Sequence, residues 1–133
     1  MSQEFNFVLK PIGVIGSTLS NLKEAPKQGF QGSQEAWIRI NADVIEGMKD
    51  IHVGDEILII TWLHLADRSI LQVHPQDNPK NPLTSVFATR SADRPNPIGL
   101  HPVKVLEVSG DKIRVAPIEA IDGTPVVDIK PVI

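Results

Sequence analysis

The stretch VKVLEVSGDKIRVAPIEA, residues 103–120, holds two runs of alternating apolar and polar residues around Ser109, Gly110 and Asp111. Alternation with period two puts every second side chain on one face of a strand. A glycine-containing turn between two such runs reads as a β-hairpin. A hairpin alone leaves an apolar face and two edges open, so this feature dictates that further strands join it.

Those strands are present. AWIRIN (36–41) alternates and reads as a strand. GDEILIITWLHL (54–65) is continuously apolar and reads as a strand buried on both sides at its centre. FNFVLKPIGVIGS (5–17), with Gly13 and Gly16 as punctuation, reads as a strand that bends. VFATR (86–90) reads as a short strand ending at Arg90, and VVDIKPVI (126–133) as the last one. TLSNLKEAPKQGFQGSQE (18–35) and ADRSILQVHPQDNPKNPLTS (66–85), the second with three prolines, read as long loops. The best helical candidate, ADVIEGMKDI (42–51), is limited by Gly47 to about two turns. The pattern predicts a mainly β fold, a single antiparallel barrel-like domain over residues 1–133, since closure hides the edges of many short strands.

Length and composition bound the function. A chain of 133 residues supports one core, and 41% hydrophobic with 22% charged residues is the balance of a globular domain. No apolar run reaches the roughly 18 residues of a membrane span. The start, MSQEFNF, has neither the basic segment nor the apolar stretch of a signal peptide, so the expected location is cytoplasmic. Cysteine is absent, which excludes disulfides and thiolate metal sites. His52, His64, His74 and His101 show no metal-ligand spacing, so no metal is expected. No G-x-G-x-x-G opens a helix after a strand, and there is no P-loop or nucleophile elbow. The net charge of −3 argues against a globally basic nucleic-acid binder, although Arg90, Arg94, His101 and Lys104 lie close enough in sequence for a local basic patch.

Two stretches carry chemistry. In SVFATRSADRPNPIGLHP (85–102), Pro95 and Pro97 hold Arg94 and Asn96 in extended backbone. Arg90 and Arg94 there offer planar forks for a carboxylate, a phosphate or a backbone carbonyl. The segment is either a preorganised site or a surface loop whose arginines pair with nearby acids. In EAIDGTPVVDIKPVI (119–133), Asp122-Gly123-Thr124-Pro125 signals a turn. Asp128 and Lys130, two apart on a strand, share a face, as a solvated pair or a mutual ion pair.

FATRSADRPNPIGL followed by IDGTPVVDIKPVI closely resembles the signature of the TsaA-like family, also called the TrmO or YaeB-like family. IGVIGS resembles its first strand, APKQG its Pro-Arg-Gln loop with Lys27 replacing the arginine, and ITWLHL its central strand. Ser85, Ala92 and Val132 stand where the family usually has glycine, proline and tyrosine. The resemblance implies a β-barrel S-adenosylmethionine-dependent methyltransferase that forms a homodimer, with the cofactor near the subunit interface. It further implies tRNA as partner, with N6 of threonylcarbamoyladenosine at position 37 as the methyl acceptor. By motif, the cofactor contacts would be Pro26, Lys27 and Gln28, then His64 and Leu65, Arg90, Leu100, and the turn of Ile121, Asp122, Gly123, Thr124 and Pro125. Arg90 would pair with the cofactor carboxylate or hold a loop carbonyl, Asp122 would accept from the ammonium or ribose, and Asp128 is the candidate catalytic base. The alternatives are a methyltransferase for a small molecule or another RNA, and a cofactor-binding module without catalysis.

Overall fold

The structure, a computed structural model, describes residues 6–17 and 34–133. Its strands are β1 (Gly13–Gly16), β2 (Ala36–Ile40), β3 (Glu56–Trp62), β4 (Gln72–Val73), β5 (Thr84–Ser85), β6 (Ile98–Ser109), β7 (Lys112–Ala116) and β8 (Pro125–Pro131). Six of them close into an antiparallel barrel in the order β1-β2-β7-β6-β3-β8, and β4 pairs with β5 in a small separate sheet. The expected mainly β, barrel-like fold is therefore what the chain adopts.

The hairpin forms as its alternation requires: β6 and β7 pair across the Gly110–Asp111 turn. Twelve-residue β6 is long enough to serve two neighbours, pairing β3 through Ile98–Lys104 and β7 through Lys104–Ser109. The inward positions fill the barrel: Ile15 from β1, Ile38 and Ile40 from β2, Ile57 and Ile59 from β3, Val103 and Val105 from β6, Ile113 and Val115 from β7, and Val126 from β8. Each such side chain contributes about 1.5–3 kcal/mol relative to an exposed one.

Five sequence expectations are corrected. The continuous apolar run is not buried on both sides: β3 spans Glu56–Trp62, buries Ile57, Ile59 and Thr61, and leaves Leu58, Ile60 and Trp62 half-buried on the outer wall. A single-layer barrel offers no second layer to cover that wall. VFATR is no strand. Val86–Ala88 is a short 3-10 turn, because the Val86 carbonyl accepts from the Thr89 N–H, the Thr89 hydroxyl and Arg94, and so cannot join a ladder. The helical candidate is a 3-10 helix over Ala42–Met48. Its Asn41 side chain donates to the Pro11 carbonyl rather than capping the helix. In the first strand expectation, the strand formed among the described residues is Gly13–Gly16, with Ile12 bonded to Val126 and Asn41 just before it. The long loop before residue 86 contains β4, β5 and a 3-10 turn at Pro75–Asp77.

Candidate functional site

Two loops at one end of the barrel are tied together. The loop after β3 docks on the segment before β6 through Leu63 N–H to Pro97 O at 2.8 Å and Asp67 N–H to Asp93 Oδ1 at 2.8 Å. Arg68 completes the join, donating from Nε to Pro95 O at 2.7 Å and from a terminal nitrogen to Asn96 Oδ1 at 3.3 Å. Its guanidinium lies over the Trp62 ring, 5.1 Å from the centroid. His64 and Leu65 are exposed in the same loop.

The proline-stiffened stretch is braced from behind by Arg94. Its guanidinium donates to the carbonyls of Ser91, Val86 and Thr89, each at 2.7 Å. Arg90, four residues away, is exposed and has no hydrogen bond or ion pair among the described residues. The two arginines thus stand in different situations, one holding backbone and the other available to a ligand.

The sequence-based basic patch dissolves. Arg94 is occupied by backbone carbonyls, and His101 turns into the barrel, where its Nε2 lies 2.9 Å from Thr61 Oγ1. Burial pushes the His101 imidazole down to about 4, so it is neutral at neutral pH. Glycine at position 99 makes room for this pair: a Cβ there would collide with Thr61 Oγ1 and His101 Nε2.

The Ile121–Pro125 segment forms a tight turn, closed by Thr124 N–H to Ile121 O at 3.1 Å and by the Thr124 hydroxyl to the same carbonyl at 2.6 Å. Gly123 has φ 87°, the left-handed conformation that glycine adopts without steric cost. The turn is stitched to β1 by Gly123 N–H to Ile15 O, Ile15 N–H to Thr124 O, and Ser17 N–H to Asp122 Oδ1. Two residues before it, Glu119 has one carboxylate oxygen sealed from solvent with no hydrogen-bond partner, and burial pushes its carboxyl up to about 7.

A cavity of about 410 Å³ joins these parts. Trp62 from the end of β3, and Arg68 and Asn96 from the two loops, line it together with Pro125 and Val127 from β8 and with Phe7, Leu9 and Pro11. Of the sequence-derived site residues that are among the described ones, only Pro125 lies in its wall. Leu100 sits on the outer face of β6, opposite Ile60 of β3. Asp128 is exposed on β8, where Lys130 Nζ lies 3.6 Å from its Oδ2; the mutual ion pair is the arrangement formed. Pro26, Lys27 and Gln28 lie outside the described residues. No group of three or more His, Asp or Glu side chains suited to a metal occurs among the described residues. Sequence reading did not single out Trp62, Arg68 or Glu119, whose roles depend on contacts distant in the chain.

Residues 14–133 match the family model of the tRNA-methyltransferase O N-terminal domain. The chain belongs to this family. Among its relatives, a probable S-adenosyl-L-methionine-binding protein of Methanothermobacter thermautotrophicus is 39% identical over 123 residues, covering 92% of this chain and 88% of the relative. A similarly described protein of Pyrococcus horikoshii is 46% identical over 112 residues, with 81% and 80% covered. Among solved structures, TrmO from Pseudomonas aeruginosa superposes with a TM-score of 0.77 at 25% identity, covering 98% of this chain but 56% of that one. The chain therefore spans little more than half the length of that TrmO structure.

Proposed function

We propose that this TrmO-type barrel is an S-adenosylmethionine-dependent methyltransferase acting on tRNA, with N6 of threonylcarbamoyladenosine at position 37 as the methyl acceptor. The observation that carries the reading is the family match across residues 14–133, which runs through Arg90 and the Ile121–Pro125 turn. The residues present suit the cofactor. The unengaged Arg90 fork fits a carboxylate. The rigid turn offers backbone groups and the Asp122 carboxylate as polar contacts for the rest of the cofactor.

S-adenosylmethionine, when bound, supplies a methyl group already activated by its sulfonium. The chain's task is then mainly alignment and exclusion of water. Arg90 would hold the carboxylate, Asp122 the ammonium or ribose, and backbone groups at Leu100 and residues 121–125 the adenine edge, with His64, Leu65 and Pro26–Gln28 completing the enclosure. Asp128 is the group assigned to take the proton that leaves the acceptor nitrogen.

In this reading residues 1–133 act as one domain and pair as a homodimer. The outer wall supports the pairing: Ile98 and Leu100 remain 44% and 46% exposed, with Ile60 beside Leu100, an apolar patch suited to burial between subunits. Light scattering at micromolar concentration should give twice the chain mass, and a monomer mass would remove the dimer.

A second reading, a cofactor-binding module without catalysis, draws on the relatives' description as binding proteins. Incubation with methyl-labelled S-adenosylmethionine and tRNA from a strain lacking the protein separates the two. Label in N6-methylated threonylcarbamoyladenosine by nucleoside mass spectrometry supports the proposal. Calorimetric binding without turnover on tRNA supports the module, and label transferred only to a metabolite extract or another RNA moves the substrate.

A further inference from the structure

The cavity beside the cofactor turn is built differently from a site for a flexible aliphatic ligand. Its lining carries an indole, Trp62, with the Arg68 guanidinium over the ring, 5.1 Å from the centroid. That guanidinium is locked by its bonds to Pro95 O and Asn96 Oδ1. Flat aromatic and guanidinium surfaces are the platforms on which nucleobases stack. Asn96 accepts from Arg68 through Oδ1, which leaves its Nδ2 group as a hydrogen-bond donor at the cavity wall. An asparagine amide is suited to the acceptor and donor edge of adenine. Pro125 and Val127 add apolar surface to the lining, and about 410 Å³ is within the range of small-molecule sites. Pro125 is also the last residue of the cofactor turn, so a ligand here would lie next to that turn.

We infer that Trp62, Arg68 and Asn96 form the seat of a purine base belonging to the methyl acceptor, separate from the adenine of the cofactor. The inference rests on the methyltransferase reading for the role of the base, but the binding it asserts does not require turnover. Arg68 and Asn96 are specificity-determining residues in it: the guanidinium stacks and the amide reads an edge.

Trp37 and Trp62 are the two tryptophans of the chain, and Trp37 lies on β2, away from the cavity lining. In a Trp37→Phe background, Trp62 fluorescence reports the seat alone. Adenosine titrated in the presence of saturating S-adenosylhomocysteine should give saturable quenching. Arg68→Ala and Asn96→Ala, each checked for a parental melt, should weaken it by about tenfold, the scale of one hydrogen bond or stacking contact. Three results overturn the inference: no quenching at millimolar adenosine, quenching that S-adenosylhomocysteine competes away, or quenching unchanged in whichever of the two variants folds. Calorimetry of S-adenosylhomocysteine is run separately. Its failure would count against the cofactor reading while adenosine quenching, measured without it, still decides the base seat.

Discussion

Thr61 and His101 face each other across the β3–β6 pair inside the barrel, hydroxyl to imidazole at 2.9 Å, with Gly99 directly beneath them. A fully buried hydroxyl and a largely buried imidazole satisfy one another there, which is how polar groups persist in an apolar interior. The pair sits on the inner side of the same strands that carry Trp62 and Leu100 outside, so its protonation bears on the wall of the site.

His101 should make stability fall in acid. Its folded value of about 4 lies below the unfolded 6.5, so the unfolded chain takes up the proton first. The contribution is complete above pH 6.5 and is lost as pH falls through 4, amounting to at most about 3 kcal/mol. Urea unfolding of the parent and of His101→Gln between pH 4 and 7.5 measures it. The difference between the two should shrink towards low pH, and a pH-independent difference would contradict the buried neutral imidazole.

Glu119 should act in the opposite direction. Burial raises its folded value to about 7, above the usual carboxylate value of 4.5. Its contribution is complete below pH 4.5 and is lost as pH rises through 7. Glu119→Gln, which keeps the shape without the charge, should gain stability relative to the parent as pH rises across that window. Equal unfolding midpoints at pH 5 and pH 8 relative to parent would remove Glu119 as a titrating group.

Arg90 and Arg94 should separate by assay. Arg94→Ala deletes three bonds to backbone carbonyls and should lower stability by about 2–3 kcal/mol. Arg90→Ala should melt like the parent and weaken S-adenosylmethionine binding by about 1–3 kcal/mol, the scale of one charge-assisted hydrogen bond. Thermal melts without ligand and cofactor titration are read together. A normal melt with lost binding in Arg94→Ala would exchange the two roles.

Gly99→Ala should destabilise the barrel by about 1–3 kcal/mol through overpacking against Thr61 and His101. In a Thr61→Ala background the same substitution should cost less, because the hydroxyl it strikes is gone. A double-mutant cycle by chemical unfolding gives the coupling directly, and additive costs would place the strain elsewhere.

What could be read from the chain followed the distance over which each feature is determined. The β6–β7 hairpin rests on neighbouring residues and a left-handed Gly110, and was legible. So was the stiffness around Pro95 and Pro97, although only the fold reveals that Arg94 returns to Val86, eight positions back. His101 reads as a basic residue because histidine has no fixed charge, and its environment is set by Thr61, forty residues away. The stacked Trp62 and Arg68 reach Asn96 through a loop contact 28 positions long, and no local pattern announces it. The apolar run around Ile59 shows how many residues are hydrophobic, but not whether one side or both are covered, because that depends on whether a second layer exists.

Arg94 grips its loop entirely through carbonyl oxygens, those of Val86, Thr89 and Ser91. Every amino acid carries that oxygen. Phe87, Ala88 and Ala92 can therefore change their side chains while the loop's course past the site stays put. Substitution at Phe87, Ala88 or Ala92 would thus change what the loop touches, with one arginine acting as the template for the shape.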